Sequence, residues 1–98
     1  MKADLFAHIL GAEFYTGVPD SQLKGLCDTL YATYGVESKQ HIVAANEGNA
    51  IGLCAGHYLA TGRPGLCYMQ NSGLGNAVNP IASLMDGQVY GIPCLMVI

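Results

Sequence analysis

Positive charge is scarce in this sequence. Lys2, Lys24, Lys39 and Arg63 are its only basic side chains, they are scattered, and the net charge is −3. Without a basic patch there is no electrostatic footprint for nucleic acid or for an anionic membrane. No apolar run approaches the roughly 18 residues of a membrane span. Met1-Lys2-Ala3-Asp4 does not open a signal peptide, so the cytoplasm is the default compartment. Cys27, Cys54, Cys67 and Cys94 form no C-x-x-C pair and sit among apolar neighbours. They read as free buried thiols acting as small hydrophobes, not as a disulfide framework. His8, His41 and His57 do not cluster at a metal-binding spacing, so no metal site is expected in this chain.

Several fingerprints are missing as well. Gly73-Leu74-Gly75 is a Gly-x-Gly without the third glycine of a dinucleotide site, since Asn76, Ala77 and Val78 follow. The Gly-Lys-Ser/Thr of a P-loop is absent, which disfavours a nucleotide-binding domain. Ser21 has no His/Asp partner and lies in no Gly-x-Ser-x-Gly elbow, which disfavours a serine nucleophile.

What is abundant is apolar surface. Of 98 residues 51% are hydrophobic and only 11% charged, which is apolar for a domain this small. Such a chain either packs against more protein or forms an obligate oligomer. Ile92-Pro93-Cys94-Leu95-Met96-Val97-Ile98 reads as a buried strand with no polar tail, so the chain is expected to be a truncated piece of a larger protein.

The pattern alternates. Leu5, Phe6, Ile9 and Leu10 predict a helix over residues 3–12. Strands are predicted over 13–18, 41–45, 65–70 and 92–98. A helix carrying Leu23, Leu26, Cys27, Leu30 and Tyr34 is capped by Asp20 or Ser21 and ends at Gly35. A second runs over 47–61 and stops at Gly62. Residues 71–76 read as a glycine-rich turn, and 77–85 as a helix that Pro80 kinks or restarts. Strand–helix alternation predicts an α/β fold, a parallel sheet with right-handed crossovers and helices on both faces. Gly17–Ser21, Asn46–Gly48 and Asn71–Gly75 then share the carboxyl edge of the sheet, where open α/β sheets bind ligands.

Glu47 stands at the switch from an apolar strand to a helix of small residues: Gly48, Ala50, Gly52, Ala55 and Gly56. It is either a helix-start acid stabilised by free N–H groups or a proton relay in an apolar cleft. The small side chains leave room for another backbone or a flat ligand. The glycines of Asn71–Gly75 shape a tight turn or bring N–H groups to a ligand.

Phe14–Ser21, Ala45–Ala50 and Gln70–Pro80 resemble, in order and spacing, the pyrimidine-binding domain of thiamine-diphosphate-dependent decarboxylases. The resemblance covers essentially the whole chain, so residues 1–98 are expected to be the N-terminal part of such a domain. Within that family it lies nearest to phosphonopyruvate decarboxylases, with sulfopyruvate decarboxylases as near kin. It implies that Glu47 hydrogen-bonds N1′ of the cofactor's aminopyrimidine, favouring the imino form whose nitrogen takes the thiazolium C2 proton. A 2-oxo acid, 3-phosphonopyruvate, would lose CO2 to give phosphonoacetaldehyde, the cofactor serving as electron sink. Asn71, Ser72 and Gly73 would line the pyrimidine pocket, and Asp20 or Ser21 would touch the substrate. The diphosphate and Mg2+ would be held by a second domain, of the same or another subunit, whose Gly-Asp-Gly…Asn stretch is absent here. The expected assembly is a homo-oligomer, and the 98-residue chain alone is expected to be inactive. The rival from another class is a non-catalytic α/β interaction module.

Overall fold

The computed structural model describes residues 11–98. The helix expected over residues 3–12 lies, apart from its last two residues, outside them. Four parallel strands form the sheet: β1 Tyr15–Gly17, β2 His41–Val43, β3 Leu66–Tyr68 and β4 Leu95–Val97. Their order is β2-β1-β3-β4, with Tyr15 opposite both His41 and Leu66 and Leu66 opposite Leu95. A 3-10 turn, Ser21–Leu23, leads into helix α1 at Lys24–Tyr34. Helix α2 spans Glu47–Thr61, the bounds its pattern predicts.

Strand residues alternate between two cores, as the two-residue period of a strand requires. Tyr15, Leu66 and Tyr68 bury themselves with Leu26, Cys27 and Leu30 of α1. Phe14, Cys67 and Met69 bury themselves with Ala50, Ile51 and Cys54 of α2. Leu66, Tyr68 and Met69 are fully buried, each worth roughly 1.5–3 kcal/mol over exposure. Helices therefore cover both faces. The geometry follows from handedness. The step from β1 to β2 runs one way along the sheet and the step from β2 over β1 to β3 runs the other, so right-handed crossovers leave α1 and α2 on opposite faces.

The helix ends follow their chemistry. Gly35 closes α1 with its N–H on the Tyr31 carbonyl, and Gly62 closes α2 in the left-handed region at φ 75°. At the start of α2 the Asn46 side chain accepts from the Asn49 N–H at 2.9 Å, and the Asn49 side chain accepts from the Ala45 N–H at 3.2 Å. This reciprocal cap fixes the turn that carries Glu47.

Two expectations need correction. The stretch read as a glycine-rich turn is wound into a 3-10 helix over Asn71–Ala77. It runs on into α3, Val78–Pro80, and a π turn at Ile81–Met85. Pro80 thus marks a change of winding, since it has no N–H to donate to the preceding turn. All four strands are shorter than expected, at three residues each, and the last is not buried throughout. Leu95 is exposed and Met96 and Val97 are half-buried, because β4 is the outer strand and pairs with β3 alone.

The cysteines are free thiols, with Cys27, Cys54 and Cys67 buried and Cys94 half-buried. Hydrogen bonding to the Cys67 and Cys94 thiols, with burial, pushes the Cys54 thiol far up and keeps it protonated. Among the described residues no helix is long and apolar enough to cross a membrane.

Candidate active site

Strand order reverses between β1 and β3, so the loops leaving their carboxyl ends diverge and open a crevice there. Helix α2 packs across β1 and against the 3-10 segment Asn71–Ala77. Its first residue, Glu47, is brought to this edge and is only 9% exposed.

The carboxylate is held from two sides. On one side lies Gly73, itself buried, where a β-carbon would fall 2.6 Å from Glu47 Oε1 and 2.8 Å from Cδ. Any side chain there would occupy the space the carboxylate uses. On the other side the Asn76 amide donates from Nδ2 to Glu47 Oε2 at 3.1 Å. Oε1 accepts no hydrogen bond among the described residues, yet it is not sealed from solvent. One oxygen is thus satisfied by the protein and the other is left for a partner. Of the α2 glycines Gly48 serves this approach, since a β-carbon there would lie 3.0 Å from the Asn76 carbonyl oxygen, whereas Gly52 and Gly56 have nothing within 4 Å among the described residues. The close neighbour at that point is another backbone.

Asn71 and Ser72 lie on the same 3-10 segment and are exposed. Asp20 and Ser21 sit elsewhere. The Asp20 side chain caps the turn after β1 by accepting from the Gln22 N–H at 2.9 Å. Both residues line a cleft with Pro19, Lys24, Cys27, Asp28 and Tyr31, and Glu47 is not among its walls. The Ser21 hydroxyl makes no hydrogen bond among the described residues. Asn76 is the contact that sequence reasoning missed. It lies 29 residues from Glu47, and no local pattern links the two.

A second polar set is structural. His41 is fully buried between the Gly35 carbonyl, 2.6 Å from Nδ1, and the Tyr68 hydroxyl, 2.7 Å from Nε2. A carbonyl only accepts, so Nδ1 carries the proton and the neutral Nε2 accepts from Tyr68. Burial holds the His41 imidazole below its ordinary value, partly offset by the Gly35 carbonyl. Burial pushes the Tyr68 phenol up. Among the described residues no group of His, Cys, Asp and Glu is arranged to hold a metal ion.

The residues around Glu47 fit one end of a flat, nitrogen-containing ring. An acceptor oxygen remains unpaired in a nearly dry setting, and a glycine leaves backbone where a side chain would block approach. Comparison with known proteins gives the family. Residues 3–98 match the family described as thiamine pyrophosphate enzyme, N-terminal TPP binding domain. The sulfopyruvate decarboxylase subunit alpha of Methanococcus maripaludis is 43% identical over 88 residues, 90% of this chain and 49% of that protein. The corresponding subunit of Methanocaldococcus jannaschii is 39% identical over 89 residues, 88% of this chain and 47% of that protein. A phosphonopyruvate decarboxylase of Streptomyces viridochromogenes is 36% identical over 85 residues, 85% of this chain and 20% of that protein. The chain thus spans about half the length of the sulfopyruvate decarboxylase subunits it matches. No solved structure gives a significant match.

Proposed function

Since the chain belongs to the thiamine pyrophosphate enzyme family, as its N-terminal TPP-binding domain, we propose that it supplies the pyrimidine side of a 2-oxo acid decarboxylase site, with Glu47 as its acid–base group. The observation that carries this reading is the Glu47 carboxylate itself: nearly buried at the ligand edge of the sheet, with Oε1 unpaired beside Gly73. Thiamine diphosphate, when bound, supplies the electron sink that lets CO2 leave a 2-oxo acid.

The rest of the work falls to this chain's own residues. Glu47, only 9% exposed, would hold or release a proton at Oε1 toward a ring nitrogen of the bound cofactor. The Gly73 backbone, with Asn71 and Ser72 at the rim, would line the ring. Ser21, whose hydroxyl is free while Asp20 is engaged as a cap, is the better candidate to reach the substrate from the end of β1. Lys24 pairs with Asp28, and Arg63 with Glu13. Basic residues are sparse in this chain, so the anchor for a doubly charged substrate is expected mostly in another domain, together with the diphosphate and its Mg2+. That domain comes from the same or another subunit of an oligomeric cytoplasmic enzyme. The relatives' designation as subunit alpha supports a separate partner chain.

For the substrate, the higher identity to sulfopyruvate decarboxylase subunits favours 3-sulfopyruvate. The 36% match to a phosphonopyruvate decarboxylase supports 3-phosphonopyruvate as the second reading, the one the motifs favoured first. Both are three-carbon 2-oxo acids with a tetrahedral anion on C3, and neither changes the role of Glu47. The test offers each acid to the complete enzyme with thiamine diphosphate and Mg2+, and follows CO2 and aldehyde. Sulfopyruvate is expected to turn over preferentially. Preference for phosphonopyruvate would establish the second reading, and turnover of neither would contradict both. The 98-residue chain alone is expected to give no aldehyde.

A further inference from the structure

Resting on that reading of Glu47, we propose that Asn76 is a positioning residue that decides which oxygen of the Glu47 carboxylate carries the shared proton. Its amide reaches Oε2 from the 3-10 segment at 3.1 Å. An ionised carboxylate only accepts, so the amide must present its NH2 group to it. That donor occupies Oε2 and excludes a carboxyl proton from the same site. Any proton held by Glu47 is then confined to Oε1, the oxygen with no protein partner. The two oxygens, chemically equivalent in a free carboxylate, are made different by one side chain.

The backbone around Asn76 is built to keep it there. Its own carbonyl oxygen lies against the first turn of α2, where a β-carbon at Gly48 would come to 3.0 Å. Ala77, the next residue, is fully buried among Ala50, Ile51 and Met69. At the other end of the segment the Gly73 N–H donates to the Gln70 carbonyl at 2.9 Å, which sets the backbone against Oε1. The segment from Gly73 to Ala77 thus grips the carboxylate at both oxygens, by contact at one and by hydrogen bond at the other. Asn76 itself is exposed, so its side chain does not serve to fill the core. A side chain needed only to fill space would not have to end in an amide.

Two substitutions separate positioning from packing. Asn76→Ala removes the donor and frees the carboxyl group to turn. Asn76→Asp keeps the shape but replaces the donor with a second carboxylate, and two adjacent carboxylates share one proton between them. That proton is drawn away from Oε1. In the cofactor-loaded complete enzyme, deuterium exchange at the thiamine C2 position should fall about tenfold for Asn76→Ala, as expected for losing one hydrogen bond to a charged group. It should fall about 100-fold or more for Asn76→Asp, in the range seen when a positioned electrostatic donor is lost. The dissociation constant of thiamine diphosphate should stay within about threefold for Asn76→Ala, because the loss falls on the reacting state and not on uniform binding.

A readout independent of exchange comes from thermal melting of the cofactor-free enzyme in a double-mutant cycle with Glu47→Ala. Asn76→Ala should lower the melting temperature in the wild-type background and have little effect once Glu47 is gone. Wild-type exchange in Asn76→Asp would overturn the proposal, and so would an Asn76→Ala effect on melting that persists without Glu47. Failure of the broader reading looks different. Glu47→Gln would then exchange at the wild-type rate, whatever the cycle gives.

Discussion

Gly73 and Glu47 occupy adjoining space so tightly that one methyl group on the glycine would lie 2.6 Å from the carboxylate oxygen Oε1. Glycine is required here by the close approach, since its backbone stays clear of the left-handed region. Replacing Gly73 with Ala must displace either the 3-10 segment or the acid. Overpacking of this kind costs about 1–3 kcal/mol. Denaturant unfolding of the variant should show that loss. Cofactor C2 exchange in the complete enzyme should fall at least about tenfold, because small misplacements of a reacting group are expensive. A variant with unchanged stability and exchange would mean that the two residues do not meet.

A harsher contact lies beneath it. A β-carbon at Gly17 would stand 2.1 Å from the Tyr68 carbonyl oxygen and 2.5 Å from its ring. These residues are paired neighbours on β1 and β3, the two central strands. Backbone cannot yield as the end of a side chain can. Gly17→Ala should therefore cost at least about 3 kcal/mol, the upper end for overpacking, measured as loss of soluble folded protein or by chemical unfolding. Tolerance at this position would contradict the β1–β3 register.

The cap of α2 ties stability to the site. Asn46→Ala removes the acceptor for the Asn49 N–H and should cost about 0.5–2 kcal/mol, with Asn46→Ser restoring most of it. Because Glu47 is the next residue, the alanine variant should also lose activity in the complete enzyme while the serine variant keeps it. Paired melting and rate measurements check this.

His41 gives a pH dependence whose sign follows from its burial. Its folded-state value is depressed below the ordinary 6.5, so between the two values the unfolded chain binds more protons than the folded one. The stability due to neutral His41 is fully present above 6.5. It is lost as pH falls from there through the depressed value. Denaturant midpoints of the protein should decline over that window, and less so for His41→Gln, which cannot titrate. Tyr68→Phe leaves Nε2 without its donor and should cost about 1–3 kcal/mol near neutral pH. A midpoint that rises as pH falls below 6.5 would contradict the neutral tautomer.

Much of this was legible in the sequence because it is local. The bounds of α2 and its glycine stop follow from the small-residue pattern after the strand and from Gly62; its Asn46 cap came from the structure. The two-faced packing follows from strand–helix alternation. What was not legible depends on strand order. The outer position of β4, and hence the exposure of Leu95, cannot be read from an apolar run that looks the same in a central strand. The winding of Asn71–Ala77 was hidden because glycine permits turn and 3-10 geometry alike. Asn76 was hidden because its partner is 29 residues away and its spacing carries no period. Glu47 itself was visible as a candidate, but local sequence left cap and catalyst equally open. The buried geometry at the sheet edge and the family match together favour the catalyst.

The most direct measurement is deuterium exchange at C2 of thiamine diphosphate bound to the complete enzyme, comparing wild type with Glu47→Gln. Gln keeps the size of Glu47 but cannot share a carboxyl proton with the ring. Exchange is expected to slow by about 10²–10⁴-fold, the range for losing a positioned acid–base group, with the cofactor still bound. Exchange at the wild-type rate in the cofactor-loaded variant would contradict the acid–base role of Glu47.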